Sequence, residues 1–244
     1  MFRRLVQYGN RYGCSYVSIL RCVRIGYIWM TVLAISVGIG GLNQSCDAAD
    51  DSPTVEQITA DLMTRDIYRI RRTLKVTTVR VLSDRSGRKQ FILDLWREQR
   101  SKYPDLPWDI ILAPQVRVHL ANILVPVAQT GRDRLSPDDI LDYAWNAAES
   151  PDEEVVHAAL DVIARFDEPR IVQRIERYLS EKTRGSYAGY YGAVWALAQM
   201  CNDDASRLLD KIESQEVSRE RVEIIADARQ QWEELKKESG YCNR

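Results

Sequence analysis

Laid on itself with a shift of 34 residues, the chain places apolar positions on apolar positions, and that self-similarity limits the fold more than any other feature. Ala159 falls on Ala193, Leu160 on Val194, Ile163 on Leu197, Ala164 on Ala198 and Phe166 on Met200. Further along, Ile175 falls on Leu209 and Tyr178 on Ile212. Within each copy the apolar residues recur at helical spacing, interrupted by a short polar turn. That turn is Asp167, Glu168 and Pro169 in one copy and Asn202, Asp203 and Asp204 in the other. Each copy therefore reads as a helix, a turn and a second helix. One such pair is too thin to bury its own apolar face, so the copies must stack, giving a curved surface lined largely by second helices. Small residues at Ala158, Ala159, Ala164, Gly192, Ala193 and Ala198 let neighbouring helices approach closely.

The rest of the chain from Thr54 to Lys237 has the same helical spacing and little strand alternation. Val55, Ile58 and Leu62 mark an opening helix, and Asp66 is placed to cap a second one carrying Ile67, Ile70 and Leu74. The β-branched run Val76, Thr77, Thr78, Val79 and Val81 leaves the assignment from Lys75 to Leu82 open. Ser86 and Gly87 break the chain before a helix bearing Phe91, Ile92, Leu95 and Trp96, which Pro104 and Pro107 end. Pro114 opens a helix through Leu120, Ile123, Leu124 and Val127, with Pro126 expected to kink its last turn. Gly131 stops it. Ser136 and Pro137 start the next helix, with Ile140, Tyr143, Ala144 and Ala147 on its apolar face, and Ser150, Pro151 and Glu153 repeat that start signal. The fold expected is all-α.

The units around Asp152, Val155, Val156, His157, Ala158, Ala159, Leu160, Ile163 and Ala164, followed by Asp167, Pro169 and Leu179, resemble HEAT repeats, in particular the short HEAT-like variety of bilin lyases. An earlier copy over Val116, Arg117, Leu120 and Ile123 matches less well, because its turn is longer. A last helix from Arg219 to Lys237, through Ile224, Ile225, Ala228, Trp232 and Leu235, looks like a cap. The resemblance implies a right-handed α-solenoid of stacked antiparallel helix pairs, and it covers about half of the chain. It also implies a scaffold or adaptor that binds a protein partner. Some members of this wider class are enzymes, among them bilin lyases and nucleic-acid-acting glycosylases, and those remain the alternative reading beside a membrane-anchored structural protein.

Residues 1–48 are set apart. Arg3, Arg4, Arg11, Arg21 and Arg24 precede an uncharged apolar run from Ile25 to Leu42, followed by small residues at Cys46, Ala48 and Ala49. This is the pattern of an export signal cut after Ala48, and at 18 residues the run also reaches the lower limit for an uncleaved membrane anchor. Both readings put everything after Asp47 outside the cytoplasm, periplasmic or membrane-anchored. Cys46 resembles the acylated cysteine of lipoproteins only weakly, since Asn43, Gln44 and Ser45 depart from that pattern. In a mature exported chain, Cys201 and Cys242 are the remaining cysteines, and an oxidising compartment favours pairing them. Such a bridge closes a loop of about 40 residues, worth roughly 4 kcal/mol in the chain-entropy model. The alternative is a core Cys201 and a Cys242 in a frayed tail.

Two further segments follow: residues 49–112, a linker with basic, atypical helices, and residues 113–244, the repeat domain with its cap. From Arg65 to Lys102 there are 12 Lys and Arg against 4 Asp and Glu, whereas from Tyr103 onward the balance is 17 against 26. Arg69, Arg71, Arg72, Lys75, Arg88 and Lys89 are therefore candidates for a cationic surface that meets lipid headgroups, an anionic envelope polymer or the acidic half of another copy. A nucleic-acid partner fits only if the protein is not exported. Tyr187, Tyr190 and Tyr191, with Trp195, are a second candidate partner-binding surface, although their spacing places part of the cluster in the core. The chain has two histidines, His119 and His157, each on a first helix, and His157 is read as exposed or partner-facing rather than metal-bound. No catalytic, cofactor-binding or metal-binding constellation is recognisable. The acidic groups Asp138 with Asp139, Asp152 to Glu154, and Asp203 with Asp204 sit at helix starts, where carboxylates favour the positive end of the helix dipole.

Overall fold

The structure, a computed structural model, describes residues 52–77, 87–131, 133–181 and 186–239. The amino-terminal segment 1–48, the stretch from Thr78 to Leu82 and Cys242 lie outside the described residues. Among the described residues every regular element is helical, as the apolar spacing predicts. The α-helices are α1 (Val55–Met63), α2 (Ile67–Thr77), α3 (Arg88–Trp96), α4 (Trp108–Ile111), α5 (Pro114–Gln129) and α6 (Pro137–Ala147), then α7 (Glu153–Ala164), α8 (Pro169–Glu181), α9 (Tyr187–Gln199), α10 (Asp203–Gln215) and α11 (Arg219–Ser239). A single 3-10 turn spans Arg100–Lys102.

Helix starts follow local chemistry. Asp66 caps α2 by accepting from the backbone amides of Tyr68 and Arg69 at 3.0 and 3.2 Å. Ser136 and Asp139 form a reciprocal capping box at α6, with Pro137 in the first turn. Helix α7 starts two residues later than the Ser150 and Pro151 signal suggests. Asp152 is its cap, accepting from the amides of Glu154 and Val155, while the Ser150 hydroxyl accepts from the Asp152 amide. A carboxylate is the stronger acceptor there and also favours the helix dipole. Asn202 caps α10, with Asp203 and Asp204 in its first turn. Gly131, at φ 63°, ends α5, which runs to Gln129 with Pro126 inside it. Helix α3 stops earlier than Pro104 and Pro107 predict, because Glu98 turns left-handed at φ 55° directly after it.

Left-handed backbone recurs. Arg65, Glu98, Asp133 and Asp167 all have positive φ, at intervals of 33, 35 and 34 residues, each after the end of a helix, and Arg134 beside Asp133 shares it at φ 54°. A non-glycine residue in this region costs about 1 kcal/mol, so each needs outside support. Partners from other parts of the chain supply it at Asp133 and at the turn of Asp167. Arg97 donates to the Asp133 carbonyl, and Lys89 pairs with its carboxylate at 2.9 Å. Gln129 donates to the Arg165 carbonyl at 2.9 Å. Asp167 accepts from the Cys201 amide at 3.0 Å and from the Asn202 side chain at 2.7 Å. Lys236 donates to the Met200 carbonyl at 3.0 Å.

The helices pack in the order α2 on α5, α5 on α7, α7 on α9 and α9 on α11, with α6 against both α5 and α7, and α8 and α10 against α9. Helices α7 and α9 approach closely at Gly192. A Cβ built on Gly192 would lie 2.7 Å from a terminal methyl of Leu160. Ala159, Ala193, Ala164 and Ala198 are buried around it. Arg117, set among apolar residues of α5, closes the end of α3: it donates to the carbonyls of Leu95 and Trp96 while its guanidinium lies 4.4 Å above the Trp96 ring.

Asp167 holds its own turn and reaches the next one. Asp167→Ala should therefore lower unfolding stability by about 1–3 kcal/mol in urea titrations. Asp167→Asn, which tolerates left-handed backbone and still accepts, should retain most of it. Equal midpoints for wild type and Asp167→Ala would remove the latch from the energetics.

Candidate partner-binding surface

The basic segment of α2 and α3 is largely committed to acids of its own chain. Arg69 pairs with Asp61. Arg71 forms an ion pair with Glu154, and its Nε donates to His119 Nε2 at 3.3 Å. Lys89 pairs with Asp133, and Arg65 with Asp109 at 2.8 Å. Arg88 is buried and donates to the Pro53 carbonyl at 3.3 Å. Arg72 and Lys75 are exposed on α2. Several of the contacts that the charge asymmetry suggested between two copies are thus made inside one. Each pair at the surface contributes at most about 1 kcal/mol.

The tyrosine cluster divides. Tyr187 is 45% exposed and Tyr191 half-buried, whereas Tyr190 is only 4% exposed and turns toward α10 and the start of α11. Its hydroxyl donates to Glu216 at 3.4 Å, and the Arg221 guanidinium lies 4.4 Å above its ring. Burial first, and the Glu216 charge second, push the Tyr190 phenol up to about 12. Beside it is a pocket of about 290 Å³ with Leu179, Leu208 and Ile212 at its base and Glu176, Lys211 and Arg221 around it.

On the other side of α9 the rings form a ladder. His157 of α7 stacks on Tyr191 with centroids 5.2 Å apart and planes 16° from parallel, and Tyr191 stacks on Tyr187 at 6.0 Å and 24°. Trp195 lies 5.6 Å from Tyr191. The 34-residue shift that defines the repeat also places His157 on Tyr191, so this stack had a signal in the sequence. His157 is half-buried, and burial lowers its pKa against the opposing pull of Glu153 and Glu154.

His119 is neutral for a specific reason. Its Nε2 lone pair receives the Arg71 hydrogen bond, which a protonated ring cannot do. Burial, then the charges of Arg71 and Lys75, lower its pKa to about 4 despite Glu154. Among the described residues Asp94, unremarked in the sequence, is the most buried carboxylate at 1% exposure, and is met by Gln90, Lys102 and the Tyr103 hydroxyl at 2.7–3.2 Å. Those partners fill its acceptor positions, which suits a structural role. Cys201 is disulfide-bonded, and the other four cysteines lie outside the described residues. Among the described residues no group of three or more His, Cys, Asp or Glu is placed to hold a metal, and no helix is long and apolar enough to cross a membrane.

Between pH 6.5 and 4 an unfolded chain protonates His119 while the folded chain does not, so stability should fall as the pH drops through that window. The loss is on the order of 3 kcal/mol by pH 4. Urea midpoints measured across this range should show a shallower slope in His119→Gln than in wild type, with His157 supplying a smaller remainder of the same sign. Parallel slopes would contradict the assignment. No family model matches the chain, and no curated protein or solved structure matches it either.

Proposed function

We propose that the chain is an exported adaptor of the bacterial cell envelope, a right-handed solenoid of HEAT-like helix pairs that holds a protein partner. The observation that carries this reading is the recurrence of left-handed turns at Arg65, Glu98, Asp133 and Asp167, of which those at Asp133 and Asp167 are tied by side-chain hydrogen bonds to a neighbouring turn or helix end. A fixed interval with contacts passed from unit to unit is what a stacked array requires. The interval begins at Arg65, so residues 49–112 fit the same scheme as residues 113–244. An array of this kind presents a long surface with many weak anchor points, suited to a polypeptide more than to a small substrate held in a closed cavity.

Export rests on two features. The charged flank and the apolar run from Ile25 to Leu42 have the order of a signal or anchor, and the disulfide at Cys201 suits an oxidising compartment. Among the six basic residues, the internal pairing of Arg69, Arg71 and Lys89 and the burial of Arg88 favour a protein ligand over an anionic lipid or polymer.

A phosphatase reporter fused after the full chain should be active outside the cytoplasm. Mass spectrometry of the exported protein prepared without reductant should find Cys201 and Cys242 two hydrogens lighter as a pair. A cytoplasmic reporter, or two thiols open to maleimide, would overturn export and pairing respectively. Crosslinking in intact envelopes should give a covalent adduct with a defined protein, and its absence at every crosslinker concentration would remove the adaptor role.

A further inference from the structure

At two other places among the described residues, an aromatic face near a carboxylate is covered by a guanidinium. Arg221 sits over Tyr190 with Glu216 3.5 Å away. Arg117 sits 4.4 Å over Trp96 and 5.7 Å from the Tyr143 ring, with Glu98 at 3.9 Å. Arg174 lies 4.5 Å over Trp145. The combination recurs because a ring face and a carboxylate both attract a cation, and the planar guanidinium stacks on the ring while donating to the acid.

Among the described residues, the ladder of His157, Tyr191 and Tyr187 has the ring faces and the acids but not the cation. Among the described residues no Arg or Lys lies over these three rings. Glu220 and Asp227, seven residues apart and so on one face of α11, are exposed, and α11 packs directly on α9. Glu220 is close enough to act on Tyr187 and Asp227 on Tyr191, each adding to the effect of burial in raising the phenol pKa. Glu153, exposed on α7, lies beside His157. None of these three carboxylates makes an ion pair among the described residues. Among the described basic side chains of α11, Arg219 pairs with Glu223 and Arg229 with Asp210 and Glu213.

We infer that the ring ladder of α7 and α9, flanked by Glu153, Glu220 and Asp227, is a docking surface for an arginine-bearing segment of a partner polypeptide. The partner's guanidinium stacks on Tyr187, the end ring of the ladder, because Tyr191 is already stacked between His157 and Tyr187, and it donates to Glu220, repeating between chains what Arg221 does with Tyr190 and Glu216 within one. This rests on the adaptor reading and names the chemistry of its partner.

The test uses the exported protein purified without reductant and a fluorescein-labelled peptide of alternating glycine and arginine, with glycine-lysine and glycine-glutamate peptides as comparisons. Saturable binding is expected for the arginine peptide, weaker binding for lysine because an ammonium does not stack, and none for glutamate. Tyr187→Leu should weaken the arginine peptide about tenfold and Glu220→Gln about threefold, with the helical content and unfolding midpoint unchanged. Tyr187 is the most exposed ring of the ladder, so its removal leaves the core in place. Equal affinity for all three peptides, or for wild type and Tyr187→Leu, would overturn the inference. Intact envelope crosslinks without arginine-peptide binding would remove this surface and leave the adaptor role standing. Arginine-peptide binding without envelope crosslinks would do the reverse.

Discussion

The close approach of α7 and α9 is the constraint on which the remainder depends. Each helix pair has one apolar side too many, and only a neighbour can cover it. A side chain at Gly192 would require the Leu160 side chain to move, since the Cβ position lies 2.7 Å from its terminal methyl. Small residues at Ala159, Ala193 and Ala198 keep the two backbones near each other along the same interface. Close packing of this kind gains dispersion contacts along the whole length of both helices, and it fixes their relative register. Register in turn fixes where the turns fall. That is why the Asp167 carboxylate arrives at the Cys201 amide and the Asn202 side chain, 34 and 35 residues away.

The same register decides what the surface shows. Residues at the position of His157 in one helix and Tyr191 in the next are brought face to face, so their rings stack. Tyr190, one residue away, turns roughly a quarter of the way around α9 and becomes buried beneath Arg221. A cluster that looks continuous in the sequence is thereby split into a buried anchor and an outward-facing ladder. The basic stretch of α2 and α3 is divided in a similar way, with Arg88 interior and Arg71 drawn across to Glu154, 83 residues distant.

Much of the helical order was readable because its causes are local. Asp66, Ser136 with Pro137, Gly131 and Asn202 each act within a few residues of themselves, so their effect survives without tertiary information. What escaped had remote causes. Nothing in Arg65 or Glu98 announces left-handed backbone, which those side chains do not favour. At Asp133 and Asp167 the geometry is supported by partners 34 to 44 residues away. Asp94 is ordinary in sequence and nearly invisible to solvent in the fold, because Lys102 and Tyr103 return to it after a turn. The shift of the α7 start from Ser150 to Asp152 was a contest between two adequate caps two residues apart. For the candidate surfaces, residue type and spacing located the tyrosines, while which ring faces outward depended on α10 and α11.

The outermost helix, α11, has two unlike sides. Ile224, Ile225 and Ala228 are buried, and Glu220, Glu223, Asp227 and Gln230 are exposed. A further helix pair arriving on this side would meet carboxylates and an amide in place of the apolar groups that α9 presents to α7. Head-to-tail growth of one molecule onto another at this end is therefore opposed by desolvation and by like charge. The exposed side of α11 thus offers a second copy charge in place of apolar surface.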